Sequence, residues 1–244
     1  IRRQRQMCIR DRKKGFTLSE VLITLGIVGV VAVLTVPGVM KNYKSRLYTA
    51  QLQKAYAQIA DSVQAMMNDQ HVDNFYESTI ANANSCTDAN KGICEKGVGV
   101  FLNNYFKIAK RNCKSGNKTQ ICIAGTGENA YTSINNGGTK AIDAEYCVQN
   151  TNGAAICGKW DAENKMVHLL VDVNGTASPN MVGRDLFAID IKSDGSLSDF
   201  GSNSPDPTVV ASKNVCNDAN TGSLYAYASG CLNTIINAGW KMEY

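Results

Sequence analysis

Residues 12–46 read RKKGFTLSEVLITLGIVGVVAVLTVPGVMKNYKSR, and this stretch decides the architecture. Phe16 to Pro37 is 22 residues long and holds one charge, Glu20. As a helix rising ~1.5 Å per residue it covers roughly 33 Å, close to the ~30 Å hydrocarbon core of a bilayer. Lys13 and Lys14 stand before the run; Lys41, Lys44 and Arg46 follow it. Positive charge ahead of a first span favours a cytoplasmic head and leaves the rest of the chain outside the cytosol. A secretory signal peptide shares the basic head. This run is long for one, however, and VLTVPG at its far end lacks the small-x-small pattern of a cleavage site.

An ordinary signal anchor accounts for everything here except Gly15 and Glu20. Gly15-Phe16-Thr17-Leu18-Ser19-Glu20, leading directly into an apolar run, resembles the cleavage and methylation motif of type IV prepilins. That family includes the pseudopilins of type II secretion and the competence pilins. The resemblance is close over residues 13–60 and general beyond them. It implies cleavage by prepilin peptidase between Gly15 and Phe16, N-methylation of Phe16, and assembly through Phe16, Glu20 and Pro37. The physics is consistent: an acid in a membrane helix is costly and seeks a partner. Cleavage creates an α-amine on Phe16, four residues from Glu20. The family is understood to pair that acid with the amine of a neighbouring subunit, which sets register. Gly26, Gly29, Thr35, Pro37 and Gly38 are expected to weaken helical order in the second half of the span.

The resulting division is a leader over residues 1–15, a membrane and assembly helix over 16–37, an amphipathic stalk over 38–70, and a globular head over 71–244. Ile1 is no initiator, so residues 1–12 are read as a non-native remnant, or Met7 opens a short leader. Either way they, and Cys8 among them, stay outside the fold. These first 15 residues carry seven Lys/Arg against one acid, Asp11. The formal charge of +4 therefore misleads, because the rest holds 18 bases against 20 acids. Such a body offers no basic surface for nucleic acid, unless the chain serves DNA uptake. Four Pro against 21 Gly, with 44% apolar residues, suit a globular part.

Along the stalk, Tyr48, Leu52, Ala55, Tyr56, Ile59, Val63, Met66 and Met67 recur at three- and four-residue intervals, one face of a helix reaching about Asp69. A second helix is expected over 97–109 and a short one over 232–237. Alternating runs predict strands over 144–148, 154–159, 166–172, 185–191 and near 241–244. Asn152-Gly153 is a hairpin signal. A long helix followed by an antiparallel sheet is an α+β architecture.

Eight cysteines lie beyond the apolar run. None are spaced as C-x-x-C, so disulfides in an oxidising space are the better reading than zinc. Eight cysteines allow 105 pairings. Short separations across turn-forming stretches favour Cys86–Cys94, Cys113–Cys122, Cys147–Cys157 and Cys216–Cys231, the last two most clearly.

Asp172, Asn174, Asp185 and Asp194 offer oxygens that could hold calcium. Asx residues beside Gly are also ordinary turn material, and that reading is preferred. His71 is expected exposed, His168 within a strand, and Trp240 as a packing anchor. No triad order, H-E-x-x-H or P-loop occurs, so catalysis is not expected. The reading is a structural subunit of a type IV pilus-like filament or type II secretion pseudopilus. It would be held in the inner membrane with a periplasmic head before joining a periplasmic or extracellular filament. Its partners would be other pilin or pseudopilin subunits, prepilin peptidase and an inner-membrane assembly platform. The alternative is an uncleaved, signal-anchored extracytoplasmic binding module or adhesin; an anchored hydrolase ranks third.

Overall fold

The computed structural model describes residues 15–81, 97–113, 121–124, 131–132, 142, 144–201, 216 and 224–242. The chain forms two compact units, Ile1–Tyr43 and Lys44–Tyr244. Helix α1 (Leu18–Gln70) crosses the boundary between them. In the first unit its apolar stretch is wholly uncovered. Phe16, Leu22, Val30 and Leu34 are among the many large apolar side chains left exposed. The expected weakening is not seen, since α1 is unbroken through Gly26, Gly29, Pro37 and Gly38. Proline forfeits a single backbone bond, and the intact turns on both sides carry the helix past it. The hydroxyls of Thr24 and Thr35 donate to the carbonyls of Val21 (3.0 Å) and Val31 (2.9 Å), so neither presents an unpaired donor.

In the second unit, α1 buries Tyr48, Leu52, Ala55, Ile59, Val63 and Met66, the stripe expected from its periodicity. The chain continues through a 3₁₀ turn (Phe75–Glu77) and α2 (Val98–Tyr105). Then come β1 (Ile108–Lys110), β2 (Tyr146–Asn150), β3 (Ala155–Asp161), β4 (Met166–Asp172), β5 (Leu186–Ile191) and β6 (Leu197–Asp199). Two short helices follow, α3 (Leu224–Ala228) and α4 (Cys231–Asn237). The strands form one antiparallel sheet in the order β1-β2-β3-β4-β5-β6, so every pairing is between neighbours in sequence. All six residues of β5 are buried. Since successive side chains point to opposite faces, both faces of the sheet are covered there. Gly158 shows what covers one face: a Cβ would lie 2.7 Å from Val98 of α2 and 2.9 Å from Leu169 of β4. The Ser62 hydroxyl donates to the Tyr105 carbonyl (2.9 Å), tying α1 to the end of α2. On the opposite face, Tyr225 of α3 packs against the ring of His168.

The α+β architecture is as expected, with local corrections. The helix expected over 97–109 stops at Tyr105, because Phe106 is extended and Ile108 pairs with Asn150 in the sheet. Strand β6 and helix α3 are too short for periodicity to announce. No strand forms at Lys241 or Met242, and residues 243–244 lie outside the described residues. Gly239 and Trp240 both have left-handed φ (66° and 58°), which turns the chain instead of extending it.

Three expected disulfides are present: Cys113–Cys122, Cys147–Cys157 and Cys216–Cys231, with Cα separations of 5.3, 4.0 and 4.2 Å. The Cys86–Cys94 pair lies outside the described residues. Cys147 and Cys157 are direct register partners across the β2–β3 hairpin. That hairpin turns at Asn152-Gly153, where Gly153 takes a φ of 93° and the Asn150 amide donates to the Ala154 carbonyl (2.8 Å). A closed loop of about fifteen residues contributes roughly 3 kcal/mol in the chain-entropy model, and shorter loops less.

Gly158→Val should lower the thermal midpoint of the oxidised chain, at a cost of about 1–3 kcal/mol from overpacking. Gly153→Ala, where only φ is strained and the space is open, should cost less. Calorimetry on the two variants checks the order, and a Gly158→Val midpoint equal to wild type would contradict the close α2–sheet contact.

Candidate functional site

At the N-terminus Glu20 meets Thr17 within a single turn. Thr17 lies immediately before α1, and Glu20 is the third residue inside it. The Thr17 amide donates to the Glu20 carboxylate (2.8 Å), as does the Thr17 hydroxyl (2.7 Å). The Glu20 amide in turn donates to the Thr17 hydroxyl oxygen (3.3 Å). This is a reciprocal capping box, in which two otherwise orphaned backbone donors are satisfied. Glu20 also sits at the positive end of the helix dipole, the favourable end for an acid. Sequence reasoning gave Thr17 no role, although the T-x-x-E spacing carried that signal. Gly15 and Phe16 precede the helix and are exposed; Pro37 lies within it.

Of the calcium candidates, Asp172, Asn174 and Asp185 lie together, and Asp194 stands apart from them. Asp194 turns its carboxylate onto the amide (2.9 Å) and hydroxyl (2.7 Å) of Ser196, an ordinary Asx turn. Asp172 and Asp185 lie beyond the other end of β5, roughly 20 Å away at strand rise. Both are fully buried. Asp172 accepts from the Tyr131 hydroxyl and the Asn174 amide. Asp185 accepts from the amides of Asn180 (2.7 Å) and Met181 (2.6 Å). Calcium takes six to eight oxygens. Among the described residues no group of three or more His, Cys, Asp or Glu is placed to hold a metal ion. The carboxylates present thus serve as turn and loop anchors. Burial, and for Asp172 also the charge of Asp185, raises both carboxyls: Asp172 well above the ordinary range, Asp185 to about 6. Asp199, unremarked in the sequence, accepts from the Gly230 (3.0 Å) and Asn233 (2.8 Å) amides and so anchors the start of α4.

His71 is exposed. His168 is a buried strand residue, as expected. Trp240 is half-buried with its ring edge-on to Tyr56 of α1, centroids 5.7 Å apart, so it does anchor the C-terminal segment.

Residues 10–36 match the family model described as the prokaryotic N-terminal methylation motif. No curated protein and no solved structure matches the chain. The matched segment leads into the one helix, among the described residues, that is long and apolar enough to cross a membrane. A disulfide-braced antiparallel sheet follows it. The match supports a type IV pilin-like N-terminus over residues 10–36, and its helix fits a membrane anchor.

The buried acid pair makes a pH prediction. Asp185 has a folded pKa above its unfolded value, so its contribution to stability is full below about 3.8 and is lost as pH rises through about 6. Between pH 4 and 7 the thermal midpoint of wild type should therefore fall relative to that of Asp185→Asn. Parallel curves for the two proteins would contradict the shift.

Proposed function

We propose that this chain is a structural subunit of a type IV pilus-like filament or type II secretion pseudopilus. Prepilin peptidase cuts it between Gly15 and Phe16, and Phe16 is N-methylated. Before assembly the subunit is held in the inner membrane by residues 16–37, with residues 71–244 as a periplasmic head. It then enters a filament with other pilin or pseudopilin subunits on an inner-membrane assembly platform. The observation that carries this reading is the methylation-motif match at residues 10–36, leading into a helix whose apolar surface is uncovered among the described residues. A helix of that kind can be removed from water in two ways: lipid before assembly, other helices after it.

Glu20 supports the same reading. Its carboxylate is satisfied within its own turn by Thr17, so the subunit can rest in the membrane with no buried orphan charge. The α-amine released on Phe16 of an adjacent copy adds a cation that this acid can pair with during assembly. The role is structural and non-enzymatic.

Glu20→Ala should leave membrane insertion intact while cutting filament yield, because the amine of a neighbouring Phe16 loses its counter-charge. Gly15→Val should block cleavage and leave the longer precursor in the membrane. Immunoblots of sheared filament and membrane fractions measure both effects. Normal filament yield from Glu20→Ala would sink the register mechanism, and a normal mature form from Gly15→Val would sink the cleavage assignment.

A further inference from the structure

His168 lies on β4 directly opposite Asp190 on β5 and Lys159 on β3. Its Nδ1 is 2.7 Å from an Asp190 carboxylate oxygen, and its Nε2 is 3.2 Å from one of Asp161. A neutral imidazole has one N–H and one lone pair, whereas carboxylates only accept. Both contacts are hydrogen bonds only when the ring carries two protons. A neutral ring would keep the shorter Asp190 bond and set its bare Nε2 against the Asp161 oxygen.

The two carboxylates are held by different parts of the head. Asp190 also accepts from the Gly201 amide (3.0 Å), beyond β6. Asp161 accepts from the amides of Glu163 (3.0 Å) and Asn164 (3.2 Å) and from the Asn164 side chain (2.8 Å), which organises the β3–β4 turn. The ring itself stacks edge-on to Phe200 and leans on Tyr225 of α3. It lines an open cleft of about 500 Å³ together with Trp160. The other charged groups around that cleft are Glu145, ahead of β2, and Lys159, whose ammonium sits 5.3 Å from the Tyr225 ring centre. Asp199 adds a further acid near Asp190.

We propose that His168 is a pH-operated latch: its imidazolium fastens the β3–β4 turn, through Asp161, to β5 and Gly201, and loss of the Nε2 proton releases the turn while the Asp190 bond persists. Acids outnumber bases around the ring, which favours its charge. Burial opposes that charge, but the Asp190 and Asp161 carboxylates overcome it and hold the imidazole above its ordinary value near 6.5. Asp161 is lowered to about 2, chiefly by the Asn164 side chain, against the effect of burial and with a smaller contribution from His168, so it stays ionised throughout. The latch is thus closed at low pH and opens as pH climbs through the raised folded value. It belongs to the head and is independent of the assembly role of the N-terminus.

The test is an imidazole nitrogen NMR titration of the full chain in detergent micelles between pH 5 and 9. His168 and His71 are the only histidines, and His71→Gln assigns the two signals. We expect a doubly protonated His168 ring at pH 6.5. In Asp161→Asn, whose amide can donate to a neutral Nε2, the midpoint should fall by about one unit. Amide exchange of residues 162–165, corrected for its intrinsic pH dependence, should rise in wild type as the ring deprotonates and stay level in Asp161→Asn. A neutral wild-type ring at pH 6.5 overturns the proposal whether or not the variant folds. An unchanged midpoint in a folded Asp161→Asn, or turn exchange that ignores the titration, overturns it equally.

Discussion

Among the described residues nothing covers the apolar surface of α1 between Leu18 and Tyr43. Soluble monomers rarely leave contiguous apolar patches beyond a few hundred Å², so this constraint governs the rest. A helix is a suitable form for such a segment, because its backbone donors and acceptors pair within it, save the one bond forfeited at Pro37. Its polar side chains follow the same rule. Thr24 and Thr35 return their hydroxyls to backbone carbonyls, and Glu20 is enclosed by the capping box with Thr17. The one acid of the segment is thereby made tolerable without being neutralised.

The second unit meets a different requirement, stability in a sequence rich in Gly, Asn and Ser. Its antiparallel sheet joins only strands adjacent in sequence, which keeps loop-closure entropy low. Three local disulfides add covalent bracing, one of them directly across the β2–β3 hairpin. Buried carboxylates do further fastening: Asp185 gathers the amides of 180 and 181, Asp199 those of 230 and 233, and Asp190 the amide of Gly201. Each substitutes one acceptor for backbone pairing that irregular segments lack.

The elements legible in the sequence are those with a strong local signal. The apolar run, the stripe from Tyr48 to Met66, the Asn152-Gly153 turn and the alternation of 166–172 each announce themselves over enough residues to establish a period. Local cysteine spacing was informative because loops of about ten to fifteen residues close easily. What escaped depends on distant partners. Ile108–Lys110 is a strand only because Asn150 and Gln149 lie beside it. The helix expected over 97–109 ends early for the same reason, and two consecutive left-handed residues, Gly239 and Trp240, turn the chain where a C-terminal strand was expected. Asp199 and the His168 contacts join positions 22 to 34 residues apart or bridge separate elements, and no spacing rule reveals them. Thr17 is different: the T-x-x-E spacing from Thr17 to Glu20 is itself a capping signal in the sequence.

The central claim is that the N-terminal helix is that of a processed filament subunit. Mass analysis of the N-terminal peptide from the membrane-extracted chain tests it most directly. The account predicts a chain that begins at Phe16 and carries one methyl group on its α-amine. A chain that retains Lys13-Lys14-Gly15 in cells with active prepilin peptidase would contradict it and mark an uncleaved signal anchor.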